Sequence, residues 1–222
     1  MKDIRKYIDH SALKPTITEK EIESIVKKSA EIGFATVCVN PCHVKIAQEI
    51  ADKKIRICAV VGFPLGANTK EIKIHEALKA LGDGAKEIDM VMNISAFKSG
   101  NYKKVEEEIK AVVRECESAT VKIIVETCYL SREEKLKSLE ICINSGADFI
   151  KTSTGFGFGG ATFSDVELFK EHSQGRIKIK AAGGIKDLKT ALKMIEKGAD
   201  RIGTSHGFSI YEEYLKNNIF LL

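Results

Sequence analysis

Two lysines, Lys151 and Lys180, close short apolar runs in Phe149-Ile-Lys151 and Ile177-Lys-Ile-Lys180. A lysine amine attacks a carbonyl carbon only when uncharged, and at a pKa near about 10.4 almost none is uncharged at neutral pH. A second ammonium on an adjacent strand lowers that pKa. A fall of about three units takes the neutral fraction from under one in a thousand to nearly one half, worth roughly 4 kcal/mol. The pair therefore points to covalent amine chemistry. Lys178 and Lys180 share a strand face by alternation, so spacing alone does not choose between them. The Ala181-Ala-Gly-Gly184 that follows favours Lys180, next to the loop. Asp89 lies inside the apolar run Glu87-Ile-Asp-Met-Val-Met92, where an acid needs a partner or a task. Proton transfer during carbinolamine formation and breakdown is such a task. Glu87 shares its face and competes for the role. The plainer alternative is a structural ion pair of a lysine with Asp89 or Glu126.

These residues need a frame that puts strand ends together. Short β-branched runs recur at 7–10, 34–39, 55–61, 87–92, 121–126, 149–151, 177–181 and 201–203, each followed by an amphipathic stretch. Near-continuous apolar runs suit strands buried on both faces of a parallel sheet. Capping boxes are expected at Thr18/Glu21, Ser131/Glu134 and Ser164/Glu167, and helix stops at Gly33, Gly82, Gly146 and Gly198. No linker divides the chain. The reading is α/β: a (β/α)8 TIM barrel with residues 1–222 as a single catalytic domain. An open doubly wound sheet is the rival, but no Gly-x-Gly-x-x-Gly follows the first clear strand.

Chemistry in such a barrel sits at the carboxyl ends of the strands. Those positions read Asp9, Asn40, Phe63, Asp89 with Asn93, Glu126 with Thr127, Lys151, Lys180 and Ser205. Three glycine-containing segments follow the last three strands: Thr152–Gly160, Ala182–Ile185 and Gly203–Gly207. Loops there are the habitual phosphate site of the fold, because exposed backbone N–H groups cradle an anion.

Composition narrows the partners. Net charge is +4, from 35 Lys+Arg against 31 Asp+Glu, with the signs interspersed. No basic stripe marks a nucleic-acid binder, and no apolar run approaches a membrane span. Cys38, Cys58, Cys116 and Cys142 sit in apolar segments as small hydrophobes. Cys38 and Cys42 lack the further ligands of a metal site, so no metal or other cofactor is expected. Free thiols and a charged Met1–Tyr7 without an apolar signal core favour the cytoplasm. Barrels of this type often pair. The apolar tail Ile219-Phe-Leu-Leu222 would cover a neighbour or its own barrel, and a homo-oligomer is expected.

Several segments resemble the deoxyribose-phosphate aldolase family, nearly end to end: Ile8-Asp-His-Ser-Ala-Leu-Lys-Pro15, Val37-Cys-Val-Asn-Pro41, Val61-Gly-Phe-Pro-Leu-Gly66, Glu87–Asn93, Phe149-Ile-Lys-Thr-Ser-Thr-Gly155, Lys180–Gly184 and Arg201-Ile-Gly-Thr-Ser205. The resemblance implies a metal-free class I aldolase of deoxyribonucleotide breakdown. Its small-molecule substrate would be a sugar phosphate, 2-deoxy-D-ribose 5-phosphate, cleaved reversibly to D-glyceraldehyde 3-phosphate and acetaldehyde. It assigns Lys151 to the Schiff base, Lys180 to lowering its pKa, Asp89 to proton shuttling and Asp9 to a substrate hydroxyl. Gly155, Gly183, Gly184 and Ser205 would hold the phosphate. The family usually has a second serine where this chain has His206, so His206 is left outside the implied set. The competing reading is a phosphate-binding barrel isomerase or synthase, with Asp89 and Glu126 doing non-covalent acid/base work. A barrel that only binds a sugar phosphate is the third.

Overall fold

A computed structural model describes residues 3–219. Eight parallel strands close a barrel in chain order. They are β1 (Ile8–Ala12), β2 (Thr36–Val39), β3 (Arg56–Val61), β4 (Glu87–Val91), β5 (Thr120–Ile124), β6 (Phe149–Lys151), β7 (Lys178–Ala182) and β8 (Arg201–Thr204). The outer ring comprises α1 (Glu19–Ile32), α2 (Val44–Ala51), α3 (Lys70–Gly82), the short α4 (Ile94–Lys98), α5 (Tyr102–Glu115), α6 (Arg132–Asn144), α7 (Phe163–Ser173), α8 (Leu188–Glu196) and α9 (Gly207–Ile219). The (β/α)8 expectation is met. The expected role of Phe220–Leu222 lies outside the described residues.

Alternation divides each strand between two environments. One set, including Val37, Ile57, Ile88, Ile123, Ile150, Ile179 and Ile202, packs outward into the main core against the helices. The opposite set fills the barrel. On one side it is apolar, with Leu13, Cys38, Cys58 and Val60 against Phe63. From β4 round to β1 it is charged. Barrels of this type usually fill with branched aliphatics. Here the filling is a stack of ion pairs, which suggests that the interior is kept for chemistry.

Local signals account for most boundaries. The capping boxes at Thr18/Glu21 and Ser131/Glu134 are both formed. The third is not. Thr162 caps α7 by accepting from the Asp165 N–H, so Ser164 lies inside the helix and Glu167 pairs with Lys197 instead. Gly33 ends α1 in the left-handed region at φ 83°. Gly82 is still helical, and the turn falls at Gly84, φ 106°. The first strand starts one residue later than expected, because Asp3 accepts from the Arg5 N–H and winds Ile4–Tyr7 into a tight turn.

Candidate active site

Register sets the geometry. Lys151 pairs with Lys180 across β6 and β7, and Asp89 with Lys122 across β4 and β5. Register partners in a parallel sheet project to the same side, so all four enter the barrel at neighbouring heights. Asp89 Oδ2 lies 2.7 Å from Lys151 Nζ and 2.7 Å from Lys180 Nζ. Its Oδ1 is 2.9 Å from Lys122 Nζ. Lys180 also reaches Asp9 at 2.6 Å, and Lys122 reaches Glu87 at 2.6 Å. Arg201 donates to Asp9 and, at 3.4 Å, to Glu87.

Geometry separates the alternatives that spacing left open. Lys178 is exposed and lies over the Phe149 ring, 5.5 Å from its centroid, whereas Lys180 is buried at the centre. Glu87 belongs to the lower layer with Lys122 and Arg201. Asp89 is the carboxylate that both Lys151 and Lys180 share.

Four cations inside the barrel (Lys122, Lys151, Lys180 and Arg201) meet three carboxylates, Asp9, Glu87 and Asp89, and the mostly exposed Arg56 also reaches Glu87 at 3.6 Å. Lys122, Lys180 and Arg201 each face two of those carboxylates; Lys151 faces one. Lys151 is thus the cation of the cluster with the fewest carboxylate partners. Burial alone would raise the Asp89 carboxyl, but the three ammonium groups outweigh it and hold it well below the carboxylate range. Burial likewise opposes charge on Lys180, yet Asp89 and Asp9 raise its pKa above the ordinary lysine value. Lys122 is raised in the same way, burial being outweighed first by Asp89. Both stay cationic beside Lys151.

A cavity of about 580 Å³ opens above this stack. Lys151, 2% exposed, lines it, while Asp9, Asp89 and Lys180, each 0% exposed, do not. Asp9 therefore faces Lys180 and Arg201 rather than the space where a substrate hydroxyl would lie. Gly155, Gly183, Gly184 and Ser205 line the cavity at its β6–β8 rim, together with His206 and Lys186. Gly183 is fitted closely: a Cβ there would lie 3.1 Å from Gly160 Cα, and one on Gly160 only 2.3 Å from Gly183 O. Glycine at both positions lets the two loops touch and leaves their N–H groups open to an anion. Lys14 and Lys186 add positive charge to this wall.

Glu126 lines a second cavity of about 420 Å³, which shares Thr154 and Phe156 with the first. It is buried with φ 53°, accepts from the Thr154 N–H, and has a pKa raised by burial against its bonds to Thr154. Among the described residues one trio, Cys38, Cys58 and Asp89, brings potential ligand atoms within 4.8 Å of one another. Asp89 already contacts three ammonium groups, so a cation there would sit against strong like charge.

His10, also on the cavity wall, is stacked on Phe208 with centroids 4.3 Å apart, and burial holds its pKa down to about 4. The unfolded ring takes a proton near about pH 6.5, so the folded state binds fewer protons between these values. Its contribution is present above about pH 6.5 and is lost as pH falls toward 4, at most about 3 kcal/mol. The unfolding midpoint of the wild type should fall between pH 7 and pH 5, and His10→Phe should flatten that slope. Equal slopes in the two proteins would refute the assignment.

A family profile described as DeoC/LacD family aldolase matches residues 4–213. The chain belongs to that aldolase family. Among curated relatives, the deoxyribose-phosphate aldolase of Aquifex aeolicus is 58% identical over 99% of this chain and 100% of its own. That of Caldanaerobacter subterraneus is 51% identical over 98% of this chain and 96% of its own. Among solved structures, one described as "QR15, an Aldolase" superposes with a TM-score of 0.97 at 58% identity, with full coverage of both chains. A deoxyribose phosphate aldolase from Aeropyrum pernix, described as having a unique tetrameric structure, gives a TM-score of 0.91 at 28% identity, over 96% of this chain and 92% of its own.

Lys122, Arg201, Lys14 and Lys186 were not marked by sequence reasoning. Lys186 had a usable signal, a cation two residues beyond Gly184 in a loop already marked for anions. Lys122 had none, because its parity with Asp89 depends on register.

Proposed function

We propose that this chain is a deoxyribose-phosphate aldolase acting through a Schiff base on Lys151. The observation that carries the reading is the charge stack: of its lysines, Lys151 lines the cavity and has the fewest carboxylate partners. Its neutral amine adds to the aldehyde carbon of open-chain 2-deoxyribose 5-phosphate. Loss of water gives an iminium that accepts electrons from the breaking bond between the second and third sugar carbons. The third-carbon hydroxyl gives up its proton, and glyceraldehyde 3-phosphate leaves. The remaining enamine is protonated and hydrolysed to acetaldehyde, restoring the amine. Asp89 and Lys180, hydrogen-bonded to one another and adjoining Lys151, supply the proton path. Because the iminium is the electron sink, the reaction needs no metal or other cofactor.

The phosphate is read onto Gly155, Gly183, Gly184 and Ser205. Asp9 is read as holding Lys180 rather than the substrate. Six free cysteines suit a reducing compartment such as the cytoplasm, and no described helix is long and apolar enough to cross a membrane. A homo-oligomer is proposed by likeness to the tetrameric Aeropyrum relative.

The test is reductive trapping. Borohydride added with acetaldehyde or the sugar phosphate should fix an adduct on the tryptic peptide containing Lys151. Non-covalent acid/base chemistry predicts an active enzyme with no adduct, and that outcome rejects the proposal.

A further inference from the structure

We propose that Cys38 and Cys58 form an oxidation-sensitive pair inside the barrel, closed to a disulfide by peroxide and reopened by thiols, with loss and return of turnover. The two residues are register partners on adjacent parallel strands. Such strands lie about 4.8 Å apart, within the roughly 4.4 to 6.8 Å of Cα separation that a disulfide spans. Both side chains project into the barrel, where their sulfurs and an Asp89 oxygen cluster within 4.8 Å. The other two buried thiols, Cys116 and Cys142, belong to the outer core, away from this cluster.

The pair is coupled to the candidate site through Asp89. Cys58 Sγ donates to Asp89 Oδ1 at 3.2 Å, and Cys38 Sγ stands 4.0 Å from Oδ2. Lys122 Nζ lies 3.6 Å from Cys58 Sγ. The two thiols differ in reactivity. The neighbouring Cys58 thiol lowers the Cys38 pKa, while burial raises that of Cys58. Cys38 is therefore the better nucleophile. Leu13 belongs to the same buried cluster as both cysteines and also lines the open cavity, so the cluster that holds the pair reaches the cavity wall.

The chemistry balances with hydrogen peroxide as oxidant. The Cys38 thiolate attacks one peroxide oxygen and the O–O bond breaks, giving a sulfenic acid and hydroxide. The Cys58 thiol displaces water from the sulfenic sulfur. In sum, two thiols and one peroxide give one disulfide and two waters. Closure draws the sulfurs to about 2.05 Å and removes the S–H donor facing Asp89, disturbing the carboxylate that Lys151 and Lys180 share.

Cys42 is exposed and shares a tryptic peptide with Cys38, so the measurement uses Cys42→Ser. In that protein, peptides 29–45 and 57–70 each keep one thiol. After peroxide treatment, non-reducing digestion should show them joined with loss of two hydrogens, and turnover should fall at least fivefold and return with dithiothreitol. Cys42→Ser/Cys58→Ala should keep a larger share of its own untreated activity. The cross-link is read by mass and stands independently of the reaction assigned above; Lys151 trapping tests that reaction separately. Inactivation without the joined peptides, or joined peptides with turnover intact, overturns the proposal.

Discussion

Lys151→Leu should reduce turnover by at least about four orders of magnitude and abolish borohydride trapping, because no other amine can take over the covalent step. Lys180 is fully buried and holds two carboxylates, and Lys122 lies in the layer below. The same change should leave the unfolding midpoint unchanged or raised. Lys151 is the surplus cation of the stack, and without it Asp89 still has Lys122 and Lys180. Most substitutions of buried charges destabilise, so loss of activity without loss of stability is a distinctive signature. Stopped-assay kinetics and calorimetry on one preparation read both. Residual turnover above about one percent of wild type would remove Lys151 from its role.

How far the residues alone lead depends on whether an interaction is local. The strands were legible because β-branched runs buried on both faces leave an unbroken apolar signal. Thr18/Glu21 and Ser131/Glu134 were legible because a capping box closes within four residues. Ser164/Glu167 misled because Thr162, with the same hydroxyl chemistry, stands two residues earlier and takes the cap. At the site, Lys151, Lys180, Asp89 and Asp9 stood out as polar groups on apolar strands. The choice between Lys178 and Lys180 came from likeness to a family, and the structure explains it by register: Lys151 faces Lys180, while Lys178 pairs one step lower, with Phe149. Lys122 and Arg201 remained hidden for the same reason. In sequence each is one charge near a strand start; in the barrel each bridges two carboxylates from other strands. That Asp9 and Asp89 lie beneath the lysines instead of facing the cavity is also a property of the closed sheet.

The strongest test of the stack itself is Asp89→Asn. The change leaves Lys122, Lys151, Lys180 and Arg201, with Arg56 beside Glu87, against Asp9 and Glu87 alone. Removing one partner from a buried ion pair costs about 3 to 5 kcal/mol, and three ammonium groups lose a partner together here. Turnover should fall by about two to four orders of magnitude, since the shared proton path is broken. The pH dependence carries the diagnostic sign. In the wild type, Asp89 stabilises above its unfolded pKa near about 4, and that contribution is lost as pH falls through its lower folded value. Lys122 and Lys180, raised in the fold, stabilise fully below about pH 10 and lose their contribution only as pH rises through their folded values. Neither lysine therefore adds a slope between pH 7 and pH 9 in the wild type. In the variant, crowded ammonium groups release protons more readily folded than unfolded. The unfolded chain then binds more protons, and stability rises with pH over the same interval. Unfolding midpoints at pH 7, 8 and 9 should climb more steeply for Asp89→Asn than for wild type. Parallel profiles would mean that Asp89 does not hold Lys122 and Lys180 charged, and the reading of the stack as the cationic frame around Lys151 would fall with it.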